Sequence, residues 1–238
     1  MKNASIKIWY FIILLFFSLN CGTNKLEKKA PPNLQEQAEL DMEASKYSDA
    51  ELKLTDFLLK YPDNYKARSL LAASIAAQGG VIMLKLITQA GTSASSGSGG
   101  SGGSGGGSAT QNLINFLPDA TDTNLALLKR SCTQMNSIPQ DLRGEEMKLQ
   151  GGIFNTMYAM LLLKVFLKNP EKLLDLDPAQ AAAILTDLAS SLGAASQSFG
   201  QSSSGFTQAT SQLSSKLESA EGTDSKEKLA AFVSKIQQ

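Results

Sequence analysis

The sequence contains no histidine. Histidine is the commonest general base of enzymes and the commonest protein ligand of transition metals. Its absence excludes Ser-His-Asp and Cys-His catalysis, and it excludes every zinc site that uses histidine. We therefore expect no metal, no cofactor and no catalytic residue, and the one enzyme class left open is one that works with carboxylates alone.

Cysteine and excess positive charge are also scarce. The chain has only two cysteines, and Cys132 falls in an apolar rhythm with Leu125, Leu128 and Met135, which is typical of a small buried residue. Basic and acidic side chains number 22 each. Because no basic excess is available to neutralise phosphates, nucleic acid is not an expected partner.

The first 20 residues have the pattern of an export signal. Lys2 and Lys7 give a basic start, and residues 8–17 are an unbroken apolar and aromatic run. This run is far shorter than the about 20 apolar residues that span a bilayer. A basic start, a short apolar segment and a cleavage zone predict an export signal over residues 1–20.

Cys21 follows this segment directly and resembles the cysteine of a bacterial lipobox. The resemblance implies cleavage before Cys21 and lipidation of its thiol with a chain such as palmitate. The residues that follow are polar and marked by prolines, which predicts a tether over residues 21–33. Asn20 stands where that motif usually has a small residue, and an ordinary cleaved signal or an uncleaved anchor stays open as an alternative. Gly22, in place of an aspartate, indicates sorting to the outer membrane.

Residues 34–91 have a helical pattern with a characteristic spacing. Tyr47, Ala50, Leu54, Phe57 and Pro62 match the second helix and exit turn of a tetratricopeptide (TPR) repeat, a helix–turn–helix unit of about 34 residues. The segment resembles this repeat over residues 34–80, although the W-x2-L-G opening is absent.

Small residues in this region are expected where two helices approach closely. Ala38 lies in the first helix of one repeat. Ala72, 34 residues later, lies in the first helix of the next repeat, which is expected over about residues 65–78. The same step from Ala50 gives Leu84, which breaks the pattern. A solenoid needs about three repeats to bury its core, so helices further along must complete it.

The rest of the chain divides by composition. Residues 92–108 are almost entirely glycine and serine, which predicts a flexible loop, either native or an engineered replacement. Residues 109–195 form an apolar helical region that is expected to pack on the first one. Its central helix falls within residues 140–168, and Asp122 or Thr123 is expected to cap an earlier helix and Asp177 a later one. Residues 196–223 are rich in serine and glutamine and are expected to be weakly ordered, either as a weak helix or as a loose segment. Residues 224–238 are expected to form an amphipathic helix.

One internal echo and two pairs of carboxylates also stand out in the sequence. Residues 78–82 echo residues 150–154, each with a Gly-Gly pair that is a helix-ending turn, a close helix contact or a coincidence. Glu145 with Glu146, and Asp175 with Asp177, are paired carboxylates that suit acid–base chemistry. At helix starts, however, such residues stabilise the positive end of the helix dipole, and we favour that interpretation.

The sequence as a whole predicts an all-α protein in which TPR-like antiparallel hairpins form a short solenoid or bundle. It resembles bacterial TPR lipoproteins of envelope assembly or of the accessory type that serves TRAP transporters. The resemblance implies a lipid-anchored protein of the cell envelope, facing the periplasm from the outer membrane, that serves as a non-enzymatic scaffold for a protein partner. The alternative is a transport accessory that binds a small or lipidic ligand in a helical pocket.

Overall fold

A computed structural model describes residues 33–83, 113–114, 117–199 and 205–237. The export signal, Cys21, almost the whole tether and the Gly/Ser segment 92–108 lie outside these residues. The described part is all-helical, as the sequence predicts, and contains no strand. Its nine α-helices are α1 (Leu34–Glu43), α2 (Tyr47–Lys60), α3 (Tyr65–Gln78), α4 (Asp122–Asn136), α5 (Glu145–Lys168), α6 (Lys172–Asp175), α7 (Pro178–Phe199), α8 (Gly205–Glu218) and α9 (Ser225–Gln237).

The first five helices pack in chain order. Helix α1 packs on α2, α2 on α3, α3 on α4 and α4 on α5. Helix α3 coincides with the helix that the 34-residue step predicts over residues 65–78. Among the described residues, the next helix that packs on α3 is α4, which begins at Asp122; Leu84 lies outside these residues.

Helices α1 and α3 end in the same backbone motif. In each, a residue with positive φ follows the helix: Ser45 at 60° and Gly80 at 82°. The amide of Ser45 donates to the carbonyl of Met42, and the next amide reaches back five residues; Gly80 and Val81 repeat this arrangement. Both ends are Schellman motifs, spaced 35 residues apart, and they turn the chain in the same way.

Helix α5 is the centre of the described core. Every residue from Gly151 to Leu161 is buried, because α5 contacts α4, α7, α8 and α9. An apolar sequence on all faces predicts such a central helix. Helix α5 begins at Glu145, within the predicted stretch of residues 140–168, since residues 140–142 form a separate 3-10 turn. None of the described helices combines the length and apolar content that crossing a bilayer requires.

Two expectations at the caps have different outcomes. The cap of α4 is Thr121, whose hydroxyl accepts from the amide of Asn124 at 3.2 Å, so the assignment to Asp122 or Thr123 was wrong by one or two residues. Asp177 does cap α7: its carboxylate accepts from the amide of Gln180 at 2.7 Å, and the Gln180 side chain accepts in return at 3.1 Å. This reciprocal pair is a capping box.

Within residues 196–223, for which the sequence leaves a weak helix or a loose segment open, the described residues are largely helical. Helix α7 continues to Phe199, and α8 begins at Gly205. Serine and glutamine favour helices only weakly, but the apolar residues at α8 fall on one face and pack against α7 and α5, and packing outweighs propensity. The buried residues of this face are Phe206, Ala209, Leu213 and Leu217. Helix α9 also forms as expected, with Leu229, Phe232, Val233 and Ile236 all buried.

Candidate functional site

The first helical hairpin brings together three of the residues that the repeat pattern singles out. Ala38, Ala50 and Leu54 are fully buried and form one cluster with three residues of α3, namely Ala67, Leu71 and Ile75. Because alanine has no side chain beyond Cβ, α1 and α2 can approach closely at Ala38 and Ala50. The small residues therefore lie at the contact between helices, where the repeat pattern requires them.

The other predicted packing residues have more varied surroundings. Tyr47 and Phe57 are half-buried, and the Phe57 ring lies 4.8 Å from that of Tyr61. Pro62 is exposed, and its carbonyl accepts from the Arg68 guanidinium at 2.7 Å. Ala72 is buried in the larger core and not in the hairpin cluster. Cys21, the predicted lipidation site, lies outside the described residues.

A polar cluster that the sequence pattern did not reveal joins α2, α3 and α4. The Glu51 carboxylate accepts from the Gln78 amide at 2.6 Å and forms an ion pair with Arg130. A buried serine adds a bond nearby, since the Ser131 hydroxyl donates to the carbonyl of Ala72 at 2.8 Å. Helix α4 is thereby held against both preceding helices, although the chain separates it widely from them.

A second cluster joins α4, α5 and α7. The Asp187 carboxylate accepts from Lys129 at 2.7 Å and from the Tyr158 hydroxyl at 3.0 Å. Burial raises the pKa of Tyr158, and the bond to Asp187 raises it further. Burial also raises the pKa of the Cys132 thiol, which keeps this cysteine unreactive and agrees with its predicted packing role. The hydroxyl of Tyr158 thus serves as a donor that joins helices.

Two buried cations hold loops by their carbonyl groups. The Arg143 guanidinium donates to the carbonyl of Ile138 at 2.9 Å and to that of Asn136 at 3.2 Å. The Lys164 ammonium donates to the carbonyls of Leu117 and Pro118 at 2.6 and 3.1 Å. Burial lowers the pKa of both groups. Their donors are used to fix the segments that enter α4 and leave it.

Asn136 and Asn155 form a reciprocal amide pair between α4 and α5. Each side-chain nitrogen donates to the other side-chain oxygen at 3.1 Å. Asn155 is buried and also donates to the carbonyl of Gly151 at 2.8 Å. Buried polar pairs of this kind specify one alignment of two helices. Nothing in the hydrophobic pattern points to them, because the sequence places one asparagine at the end of a helix and the other within an apolar run.

Glu145 and Asp177, one from each predicted carboxylate pair, interact with groups of their own helices. Glu145 lies in the first turn of α5 and pairs with Lys148 at 2.8 Å. Asp177 accepts the amide of its own helix, as described above for the capping box. In the described ranges no group of three or more His, Cys, Asp or Glu side chains is arranged to hold a metal ion.

The outer surface of the first hairpin carries large apolar side chains. Leu52 and Leu59 on α2 are 64% and 79% exposed, and Leu40 on α1 is 56% exposed. They point away from the cluster that Ala50 and Leu54 form. Within the described residues these side chains are mostly exposed, as are Leu142 and Leu174 elsewhere on the surface.

Comparison with known proteins adds no assignment. No protein-family model, no curated protein and no solved structure matches this chain.

Proposed function

We propose that this protein is a lipid-anchored lipoprotein of the bacterial envelope that acts as a non-enzymatic, TPR-like scaffold for a protein partner. The anchor is Cys21, the membrane is the outer membrane, and the helical domain faces the periplasm. The observation that carries the proposal is the first hairpin, which is closed inside by Ala38 and Ala50 while Leu52 and Leu59 remain exposed outside. Leu52 and Leu59 are seven residues apart and lie on one side of α2, and we take this side of the hairpin as the surface that a partner contacts, since contiguous apolar surface is used for protein interaction.

The central helix supports the scaffold over a ligand-binding transport accessory. An accessory of that kind would need a cavity beside α5, the most apolar helix. Residues 151–161 of α5 are instead all buried, with Phe154, Met157 and Met160 at no more than 1% exposure. Four helices, α4, α7, α8 and α9, contact α5, which favours binding on the outside of the domain.

The roles of the buried polar groups support the non-enzymatic interpretation. Tyr158, Lys164 and Arg143 each donate to a group on another helix or a loop. These bonds satisfy groups that would otherwise be costly to bury. Turnover by the purified domain that is abolished by changing Glu145 or Asp177 would overturn this part of the proposal.

The anchor is tested by replacing Cys21 with serine. Cells are labelled with a palmitate analogue and their membranes are fractionated. The wild-type protein should carry the label and remain with the membrane, and Cys21→Ser should lose both. The matched control is Cys132→Ser, which removes the other cysteine and should leave labelling unchanged. Equal labelling of the Cys21 variant and the wild type contradicts the lipid anchor.

The scaffold is tested by in-cell cross-linking of the full chain. A photoreactive amino acid at Leu59 should form a cross-link with a defined protein of the envelope. The same amino acid at Gly193, an exposed position on α7, is the control and should not give that product. If no protein is cross-linked from any exposed position of α1 or α2, the scaffold function is wrong.

A further inference from the structure

Polar groups from two distant parts of the chain meet beside Gly151. A β-carbon built on Gly151 would lie 3.6 Å from the Ser198 hydroxyl oxygen, 3.6 Å from the methyl carbon of Met135 and 3.9 Å from Nη1 of Arg143. Met135 belongs to α4 and Ser198 to α7, whereas Arg143 lies in the connection that leads into α5. The hydroxyl and Nη1 are therefore both within 4 Å of one point beside the central helix.

Packing does not require a glycine at position 151, in contrast to position 152. A β-carbon on Gly152 would be 2.6 Å from the Phe199 ring, so a larger residue does not fit there. At Gly151 the nearest atoms lie at ordinary van der Waals distances, and alanine would fit. Glycine is less favourable than alanine within a helix. Gly151 thus leaves space for a group of about methyl size where the two polar groups meet.

The Ser198 hydroxyl is buried without a partner. Ser198 is 4% exposed, and its oxygen forms no hydrogen bond with any residue that the structure describes. A hydroxyl in a helix can donate to a carbonyl of the preceding turn, as Thr210 does to Phe206, but Ser198 does not. Because an unsatisfied buried hydroxyl is costly, Ser198 favours a ligand that accepts its hydrogen.

Arg143 is a buried cation without a carboxylate partner. Its Nε and Nη2 donate to the backbone carbonyls described above, and Nη1 remains as the donor that faces Gly151. The nearby carboxylates of Asp141, Glu145 and Glu146 belong to exposed residues, and no ion pair among the described residues includes Arg143. An unbalanced positive charge therefore lies at the same place as the unsatisfied hydroxyl.

Charge and size together identify the class of ligand. A water molecule could bridge the Ser198 hydroxyl and Nη1 of Arg143, but it would leave the charge of the arginine unbalanced. An anion accepts from both groups and also supplies the opposite charge. Space of about methyl size suits an anion of one atom, such as chloride, and is too small for phosphate or sulfate.

We propose that Gly151, Ser198 and Arg143 form a binding site for a chloride ion, which accepts from the Ser198 hydroxyl and from Nη1 of Arg143. The ion would join the end of α7 to the start of the central helix, one residue from the contact of Gly152 with Phe199. This site is independent of the proposed scaffold function, and either can be wrong without the other.

Melting of the full chain in a neutral detergent tests the site in solution. Melts are recorded in potassium chloride and in potassium gluconate at equal ionic strength, since gluconate is too large to enter. A ligand that binds only the folded state stabilises it, so chloride should raise the melting temperature by about 2–4 °C, with saturation. Equal melting temperatures in the two salts overturn the proposal.

Two variants test whether the effect of chloride arises at this site. Gly151→Ala places a methyl group where the ion binds and should abolish the difference between the two salts, whereas Gly193→Ala on α7 should keep it. Ser198→Ala removes one donor and should reduce the difference. Its control is Ser191→Ala, which removes another buried serine of α7 and should leave the difference unchanged. If Gly151→Ala and Ser198→Ala both keep the full effect of chloride, the proposal is wrong.

Bromide locates the ion directly, because it replaces chloride and scatters anomalously. Crystals of the full chain grown in bromide should show an anomalous peak within hydrogen-bond distance of the Ser198 hydroxyl and of Nη1 of Arg143. The peak should be absent from crystals of Gly151→Ala. Density at this point without an anomalous signal identifies a water molecule and overturns the proposal, as do bromide peaks that occur only elsewhere.

Discussion

Gly152 lies directly beneath the ring of Phe199. A β-carbon built on Gly152 would be only 2.6 Å from Cε1 and 2.8 Å from Cδ1 of that ring. The glycine therefore permits α5 and the end of α7 to approach more closely than any other residue would allow. This contact connects the middle of the central helix to the last turn of α7, where the segment that the sequence predicts as a weak helix or a loose segment begins.

Gly152→Ala should destabilise the fold by overpacking this contact. Separation of α5 from Phe199, or rotation of the ring, should lower the free energy of unfolding by about 1–3 kcal/mol. The matched control is Gly193→Ala on α7, where a new β-carbon meets no atom within 4 Å. That change should stabilise by up to about 1 kcal/mol, because alanine favours a helix more than glycine does. Denaturant unfolding of both variants measures the difference, and equal effects would contradict the contact.

Gly80→Ala should also destabilise, for a backbone reason. Gly80 has a φ of 82°, and a β-carbon there would lie 3.0 Å from Cβ of Pro118. The left-handed conformation costs a residue with a β-carbon about 1–2 kcal/mol. Ser45→Gly is the reciprocal test, because Ser45 already carries this cost at φ 60°, and the variant should be as stable as the wild type or more so. Thermal melts of both variants should shift in opposite directions.

Ala50→Leu should overpack the hairpin. Ala50 is fully buried between α1 and α2, so a larger side chain has to separate the helices, at a cost of about 1–3 kcal/mol. The control is Ser48→Leu, two residues away on the exposed face of α2, which should cost far less. An unfolding free energy of Ala50→Leu equal to that of the wild type would contradict close approach of the helices at this residue.

Asn136→Ala should destabilise the fold by breaking the amide pair with Asn155. The variant removes the donor to the side-chain oxygen of buried Asn155, and an unsatisfied buried acceptor costs about 1–3 kcal/mol. Because the two residues act together, Asn136→Ala/Asn155→Ala should lose less stability than the sum of the single variants. A double-mutant cycle measured by urea unfolding gives this coupling, and strict additivity would show that the pair does not act as a unit.

Stability should fall in acid partly through Glu227. The hydroxyl and the backbone amide of Thr223 donate to the Glu227 carboxylate at 2.6 and 2.9 Å and lower its pKa from the ordinary value of 4.5. A carboxyl whose pKa is lower in the folded state stabilises the fold above about pH 4.5, and this contribution is lost as the pH falls through the folded value. Glu227→Gln should reduce the fall in melting temperature between about pH 5 and 3, with Glu221→Gln as the control in the same connection.

Much of the fold could be predicted from the sequence pattern. The helices over residues 65–78 and 225–237, the cap at Asp177 and the buried state of Cys132 follow from local signals: apolar periodicity, a cap residue and a proline. The sequence pattern does not predict the structure where packing between distant segments determines it. Helix α8 has few apolar residues, and no local signal shows that Phe206 and Leu213 are covered by α7 and α5.

Only part of the candidate site could be predicted from the sequence. The contact residues Ala38, Ala50 and Leu54 follow from the repeat spacing, whereas the exposure of Leu52 and Leu59 depends on which face of α2 is buried. Burial of Ala50 shows that the leucines point outward.

The two Gly-Gly pairs separate what the sequence determined from what the tertiary structure decided. The sequence determined that neither pair carries side chains, and therefore that each permits a turn or a close approach. Gly79-Gly80 ends α3 with a left-handed residue, whereas Gly151-Gly152 lies within α5 and Gly152 packs beneath Phe199. The residues that pack around each pair decide between a turn and a close contact. A glycine in a helix remains helical when another helix packs closely against it, and no segment of the chain around residue 152 contains that information.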